Sequence, residues 1–211
     1  MTTNHGSLEI MEGCSLRYEE AGAGEAVVFL HGFSLDLRAW DPQFEDFARS
    51  YRAVRYDLRG FGKSSLPREN APYSHPDDLR TLLDRLRIDR AVLVGLSLGG
   101  AVAIDFALRF PGSVRALVLV DSMLNGYRWT DAASNLYRAV IRRAREMGVG
   151  AARQLWLRDP MFEAIMSRPD LSEALARMVA AFSGWHWLHR DPQPPTDPAA
   201  ATRLGEIAAP C

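Results

Sequence analysis

Lysine is nearly absent from this sequence: Lys63 is the only one, and the remaining positive charge is carried by arginine. Such one-sided usage reads as a coding bias before it reads as function. Net charge is also lacking, at −1 over 211 residues, which excludes the whole-molecule field that gathers nucleic acid or an anionic membrane. The one dense basic cluster, Arg138, Arg142, Arg143 and Arg145, has the spacing of a solvated helix face. Cysteine is scarce too. Cys14 and Cys211 lie far apart and outside any metal-like or redox-like spacing, so neither a disulfide framework nor a metal site is indicated. No run approaches the roughly 18 apolar residues of a membrane span, and "MTTNHGSLEI" lacks the basic and apolar regions of a signal peptide. These absences predict a soluble, cytoplasmic protein with no nucleic-acid or membrane partner.

What is present is enough apolar residue, 47% of the chain, for one substantial core. "SLEIM" and "SLRYEE" alternate apolar with polar, as the half-buried strands of a hairpin do. "AVVFL" (26–30) is apolar throughout, as a strand covered on both faces is. Residues 41–49 read as a helix with Asp41 at its N-cap and Trp40, Phe44 and Phe47 on one side, and "RAVRYD" is the next strand. In "YSHPDDLRTLLDRLRI", Ser74 and Asp77 have capping-box spacing, and Leu79, Leu82, Leu83 and Leu86 form one stripe. "AVLVG", the helical "GGAVAIDFALRFP" and the strand "RALVLVD" complete an alternation that predicts an α/β fold, a mostly parallel sheet with helices on both faces.

From about residue 129 strands stop. Leu136, Val140, Ile141, Ala144 and Met147 make one helical stripe; Ala152, Leu155 and Trp156 a second; Leu171, Leu175, Met178, Val179 and Phe182 a third, with Ser167 and Asp170 again at capping-box spacing. The expected organisation is a core over 1–125, a helical insertion over 126–195 leaving through "RDPQPPTDPAAA", and a return to the core over 196–211.

"AVLVGLSLGGAVAI" (91–104) carries the chemistry. A serine hydroxyl is a poor nucleophile unless it is exposed, deprotonated and faced by donors that receive the oxyanion. A serine between a buried strand and a helix must turn sharply to expose its oxygen, and the tight backbone leaves no room two positions away on either side; Gly95 and Gly99 meet that need around Ser97. The helix N-terminus there favours developing negative charge. "HGF" directly follows the buried strand 26–30, so the backbone N–H groups of Phe33 and Leu98 are the expected oxyanion donors.

With "LHGF", "YDLRGFGKS", "GLSLGG" and "LVLVDS" in order, residues 8–125 resemble an α/β-hydrolase, and within that family the chain is similar to the 3-oxoadipate enol-lactonase-like esterases and lactonases. The resemblance implies a helical cap over 126–195, acyl transfer through Ser97 on a small ester or lactone, and no cofactor. Met123, Trp129, Trp156 and Trp185 are the expected pocket residues, chosen because the cap is rich in aromatic and apolar side chains. The family also places an acid after the strand that follows the cap and a histidine after the last strand. This sequence reaches Cys211 where the first of those strands is due, so the reading is of a C-terminally truncated, inactive piece with the last strands missing and one apolar edge of "RALVLVD" bare.

Substitutes are few. Asp121 ends the strand after Ser97 and is placed to orient a histidine; His31 resembles a structural residue of the family; His75 is expected to be exposed in a helix's first turn; His186 and His189, in "WHWLH", lie where a cap overhangs the site. Two other classes compete. A nucleotide-binding reading of "RGFGKSS" fails because Asp57 and Ser65 stand where glycines are needed. A non-catalytic ligand-binding relative, or a carbon–carbon bond hydrolase or cofactor-free haloperoxidase of the same fold, remains an alternative, and oligomeric state is not legible.

Overall fold

The computed structural model describes residues 2–128 and 130–211. Strands β1 (Asn4–Met11) and β2 (Cys14–Ala21) form the antiparallel hairpin, and both alternate in burial as their sequences do. β3 (Ala26–Leu30), β4 (Arg52–Tyr56), β5 (Ala91–Leu96) and β6 (Val114–Val120) are parallel, and the hairpin joins them through β2 and β4, giving the order β1-β2-β4-β3-β5-β6. β3 is buried along its whole length because successive side chains serve opposite layers. Val27 and Phe29 pack with Trp40, Phe44 and Ala48 under helix α1 (Asp41–Phe47). Val28 and Leu30 pack with Leu79, Leu82, Leu83, Val102 and Phe106 under α2 (His75–Arg85) and α3 (Leu98–Arg109). Helices therefore cover both faces.

Local signals hold in part. The Ser74 hydroxyl accepts from the Asp77 amide at 3.3 Å and starts α2 as its spacing predicts. Asp41, by contrast, does not cap α1: it is the first helical residue, Trp40 stands at the N-cap, and Asp36 caps the preceding 3-10 turn by accepting from the Arg38 amide at 3.0 Å. His75 is not exposed but 2% accessible, because the chain segment around Gln193 folds over the start of α2.

The helical segment comprises α4 (Asp131–Met147), α5 (Val149–Trp156), the short α6 (Glu163–Met166), α7 (Pro169–Ala181) and α8 (Trp185–Leu188). Val140, Ala144, Ala152, Trp156, Leu175, Val179 and Phe182 are its buried stripe, while Met147 and Leu171 fall outside it. The four clustered arginines of α4 are exposed, as a solvated face requires. Ser167 does not cap α7; Arg168 holds that position, and the Ser167 hydroxyl donates to the Ala164 carbonyl at 2.8 Å. Both ends of the segment are tied to α3, where Asp105 accepts from Asn125 Nδ2 at 2.5 Å and from the Thr196 hydroxyl at 2.9 Å. On the far side of β6, the Leu117 amide donates to the Pro210 carbonyl at 2.8 Å. Val118 and Val120 remain 47% and 37% exposed on the face α1 serves elsewhere.

Candidate active site

At the end of β5 the backbone turns through Ser97 at φ 49°, ψ −108°, a left-handed conformation that costs a non-glycine residue about 1–3 kcal/mol. Its surroundings hold it there. The Ser97 amide donates to the Val120 carbonyl at 3.0 Å, and the Ser97 carbonyl accepts from the amides of Ala101 at 3.1 Å and Met123 at 3.0 Å. A Cβ on Gly95 would come within 2.5 Å of the Gly99 carbonyl, and one on Gly99 within 2.3 Å of the Leu30 carbonyl. The close approach at Gly99 sets the start of α3 directly against the end of β3. Ser97 is half-buried at the first turn of α3, where helix amides lack intrahelical acceptors.

The loop after β3 forms the facing wall. His31 is fully buried: its Nδ1 donates to the Gly32 carbonyl at 2.8 Å, and its Nε2 accepts from the Leu58 amide at 3.0 Å. Both nitrogens are used, and burial pushes its pKa down, so this neutral ring is a structural brace, as its resemblance implied. Asp57 ties the neighbouring loops by accepting from the amides of Leu37 and Lys63, each at 2.8 Å; desolvation raises its pKa. Among the described residues the amides of Phe33 and Leu98 have no hydrogen-bond acceptor outside helix geometry.

Above that loop the Phe33 ring meets the helical segment. It makes edge contacts with Phe61 (5.6 Å between centroids), Tyr137 (5.8 Å), Trp156 (5.7 Å) and Phe182 (5.4 Å), and Trp187 lies at 6.4 Å. The Trp156 indole N–H donates to the Ser34 hydroxyl at 2.7 Å, with both residues buried. Of the expected pocket residues, Met123 is brought beside Ser97 by its backbone bond, and Trp156 sits on the loop that carries Phe33. Trp185 is turned elsewhere, stacked on His189 at 5.1 Å. Trp129 lies outside the described residues. Phe61, Tyr137, Phe182 and Trp187 join the site without a signal of their own in the sequence; helix phase in "WHWLH" would separate Trp185 from Trp187, but α8 is a single turn.

No histidine hydrogen-bonds Ser97 among the described residues. From the helical segment His186 reaches this loop, its ring 5.9 Å from Phe33 and stacked on Phe61 at 4.5 Å, with neither nitrogen hydrogen-bonded and Asp191 Oδ2 3.7 Å from Nε2. Burial drops its pKa to about 4, against a smaller opposing pull from Asp191. His189 pairs with Glu69 at 2.6 Å. Asp121 is exposed at φ 42° and meets no histidine among the described residues. A separate cavity of about 1230 Å³ runs between α2, α3 and the segment 191–203; Leu98 reaches its wall and Ser97 does not. The described residues contain no cluster of three or more His, Cys, Asp or Glu able to hold a metal, and no helix long and apolar enough to cross a membrane.

Comparison with known proteins agrees with this architecture. The model of the alpha/beta hydrolase fold family matches residues 25–144. The 2-hydroxy-6-oxo-2,4-heptadienoate hydrolase of Pseudomonas putida is 30% identical over 187 residues, covering 83% of this chain and 68% of that protein. The structure described as Est816, an N-acyl homoserine lactone degrading enzyme, is 30% identical with a TM-score of 0.66, over 84% of this chain and 65% of that one. The enol-lactonase of Burkholderia xenovorans, at 24% identity and TM-score 0.67 over 98% of this chain and 74% of that one, shares the fold. In several other curated relatives the match takes in about half of this chain and only 22–42% of the relative's length. On the match over more than half its length, and on the strand order and the left-handed turn at residue 97, the chain belongs to the alpha/beta hydrolase fold family.

Proposed function

We propose that this chain carries the nucleophile and oxyanion donors of a serine hydrolase acting on a small carboxylic ester or lactone. Ser97 gives its proton to hydroxide and its oxygen attacks the acyl carbon, the amides of Phe33 and Leu98 receive the oxyanion, the acyl C–O bond breaks with the leaving alkoxide taking a proton from water, and a second water later cleaves the acyl-enzyme. The observation that carries this reading is the strained, positive-φ Ser97 at the head of α3, with Gly99 pressed against the end of β3 so that the two donor segments adjoin. Residues 126–195 act as a cap whose aromatic side chains favour a largely uncharged acyl group, and the lactone-degrading neighbour supports that substrate class. With no histidine bonded to Ser97 among the described residues, residues 1–211 acylate slowly and turn over esters negligibly, because oxyanion donors alone leave only residual catalysis. The protein needs no metal or organic cofactor for this chemistry, and a cytoplasmic location is part of the same reading.

The test is covalent capture by a fluorophosphonate, read by intact mass and peptide mapping. One adduct at Ser97, absent from Ser97→Ala, supports the reading, and the capture rate rises roughly tenfold per pH unit between pH 7 and 9 because hydroxide is the only base. An adduct formed equally by Ser97→Ala overturns it. A rate that levels off above pH 5 assigns His186 as the base and overturns the expected inactivity. A 2-hydroxy-6-oxodienoate is the second substrate reading, favoured by the Pseudomonas putida relative that aligns over most of this chain.

A further inference from the structure

The loop that bears Phe33 is a tight turn closed by the Leu35 amide donating to the Gly32 carbonyl at 3.2 Å. Its third residue, Ser34, has φ 62°. A positive φ at that position is the type II pattern, which glycine or asparagine fills cheaply and serine does not. The alternative turn without that strain flips the Phe33–Ser34 peptide by about 180°, which swings the Phe33 carbonyl round beside the donor amide of the same residue. Something must hold Ser34 in the strained form. The hydroxyl of Ser34, with no solvent exposure, accepts from the Trp156 indole N–H at 2.7 Å. That contact is not generic burial: the buried indole nitrogens of Trp40 and Trp187 have no partner among the described residues. Trp156 is in turn wedged by Phe33, Tyr137, Phe162 and Trp187, so its ring has one place to be.

We infer that Trp156 is a positioning residue: through Ser34 the cap helix α5 keeps the Phe33–Ser34 peptide in the orientation that leaves the Phe33 amide open to receive the oxyanion. Catalytic competence is thereby linked to the seating of the cap, since a cap that lifts takes the indole with it and frees the turn. The inference rests on the role proposed for Ser97 and Phe33, but its physical core, the clamp on the turn, is independent of turnover.

Three variants test it: Trp156→Phe keeps the ring and drops the N–H, Ser34→Ala drops the acceptor, and Ser34→Gly accepts positive φ unaided. Hydrogen exchange of the amides over residues 32–36 reads the clamp directly. Trp156→Phe and Ser34→Ala each speed that exchange, and their double variant goes no further, because both cut one bond. Fluorophosphonate capture at Ser97 slows by about ten- to a hundredfold in its maximal rate while half-saturation stays within about twofold, as an impaired oxyanion site predicts. Ser34→Gly in the Trp156→Phe background recovers part of that loss, which a purely structural role of the indole would not produce. Unchanged exchange over 32–36 in both single variants overturns the inference, as do single effects that multiply in the double variant. Absence of capture at Ser97 in the unmodified chain strikes the proposed function instead, and the exchange arm then decides the clamp on its own.

Discussion

Gly99→Ala is the sharpest perturbation of the site. A Cβ there would lie 2.3 Å from the Leu30 carbonyl oxygen, 2.6 Å from its carbon and 2.8 Å from the His31 oxygen, all of them main-chain atoms. An ordinary carbon–oxygen contact is about 3.4 Å, so the start of α3 must retreat from β3 by about 1 Å, and no side-chain rotation relieves it. Overpacking of this kind costs about 2–4 kcal/mol. For a chain of this size that corresponds to a melting point lower by roughly 4–16 °C. The retreat also parts the Leu98 amide from the Phe33 loop, so fluorophosphonate capture at Ser97 should fall even at a temperature where the variant is folded. Gly112→Ala is the control, because a Cβ there meets nothing within 4 Å. Thermal melts followed by circular dichroism, with capture measured alongside, decide the matter. If Gly99→Ala melts with Gly112→Ala and labels at the same rate, the close approach of α3 to β3 is not the feature that builds the site.

Three further outcomes are expected. His75 and His186 are held neutral by burial, with pKa values of about 3 and about 4. Their folded values lie below the unfolded one near 6.5, so their contribution is complete above pH 6.5 and is lost as pH falls towards 4, where only the unfolded chain binds the protons. Unfolding free energies from urea titrations at pH 7 and 4.5 should differ by a few kcal/mol, and a pH dependence in His75→Phe as steep as in the parent would refute that assignment. Arg59 and Asp78 form a buried fork, Nε to Oδ2 at 2.9 Å and Nη2 to Oδ1 at 2.5 Å; Asp78→Ala should cost about 3–5 kcal/mol, while Arg59→Met with Asp78→Leu loses less, and the opposite order in denaturant melts contradicts the pairing argument. Val118 is 47% exposed beside the lightly covered edge of β6, so Val118→Lys should reduce self-association in light scattering, and equal scattering by both proteins would show that this patch is not sticky.

Signals that act over a few residues are legible in the sequence itself. The stripe Leu79, Leu82 and Leu83, the cap at Ser74 and the continuously apolar 26–30 each report a local period or a local hydrogen bond, and each appears where its sequence puts it. The capping signal at Asp41 fails because a 3-10 turn capped by Asp36 runs directly into α1 and leaves Asp41 already helical. His75 reads as exposed because a helix's first turn is usually wet, and is buried because residues 118 positions later cover it. Nothing local reports that.

The same division runs through the site. Short-range sequence determined the elbow: a buried strand, small residues at 95 and 99, and a helix leave the backbone at 97 only a sharp turn, so the placement of Ser97 needs no distant partner to be read. Tertiary structure decided who surrounds it. The aromatic ring about Phe33 draws on residues 61, 137, 156, 182 and 187, and whether Trp185 or Trp187 joins it depends on the rotation of a single helical turn docked against the loop. Periodicity records which face of an element is apolar, whereas the identity of the neighbour on that face is set by how whole elements dock, and the bond from Trp156 to Ser34 spans 122 positions that no local pattern connects.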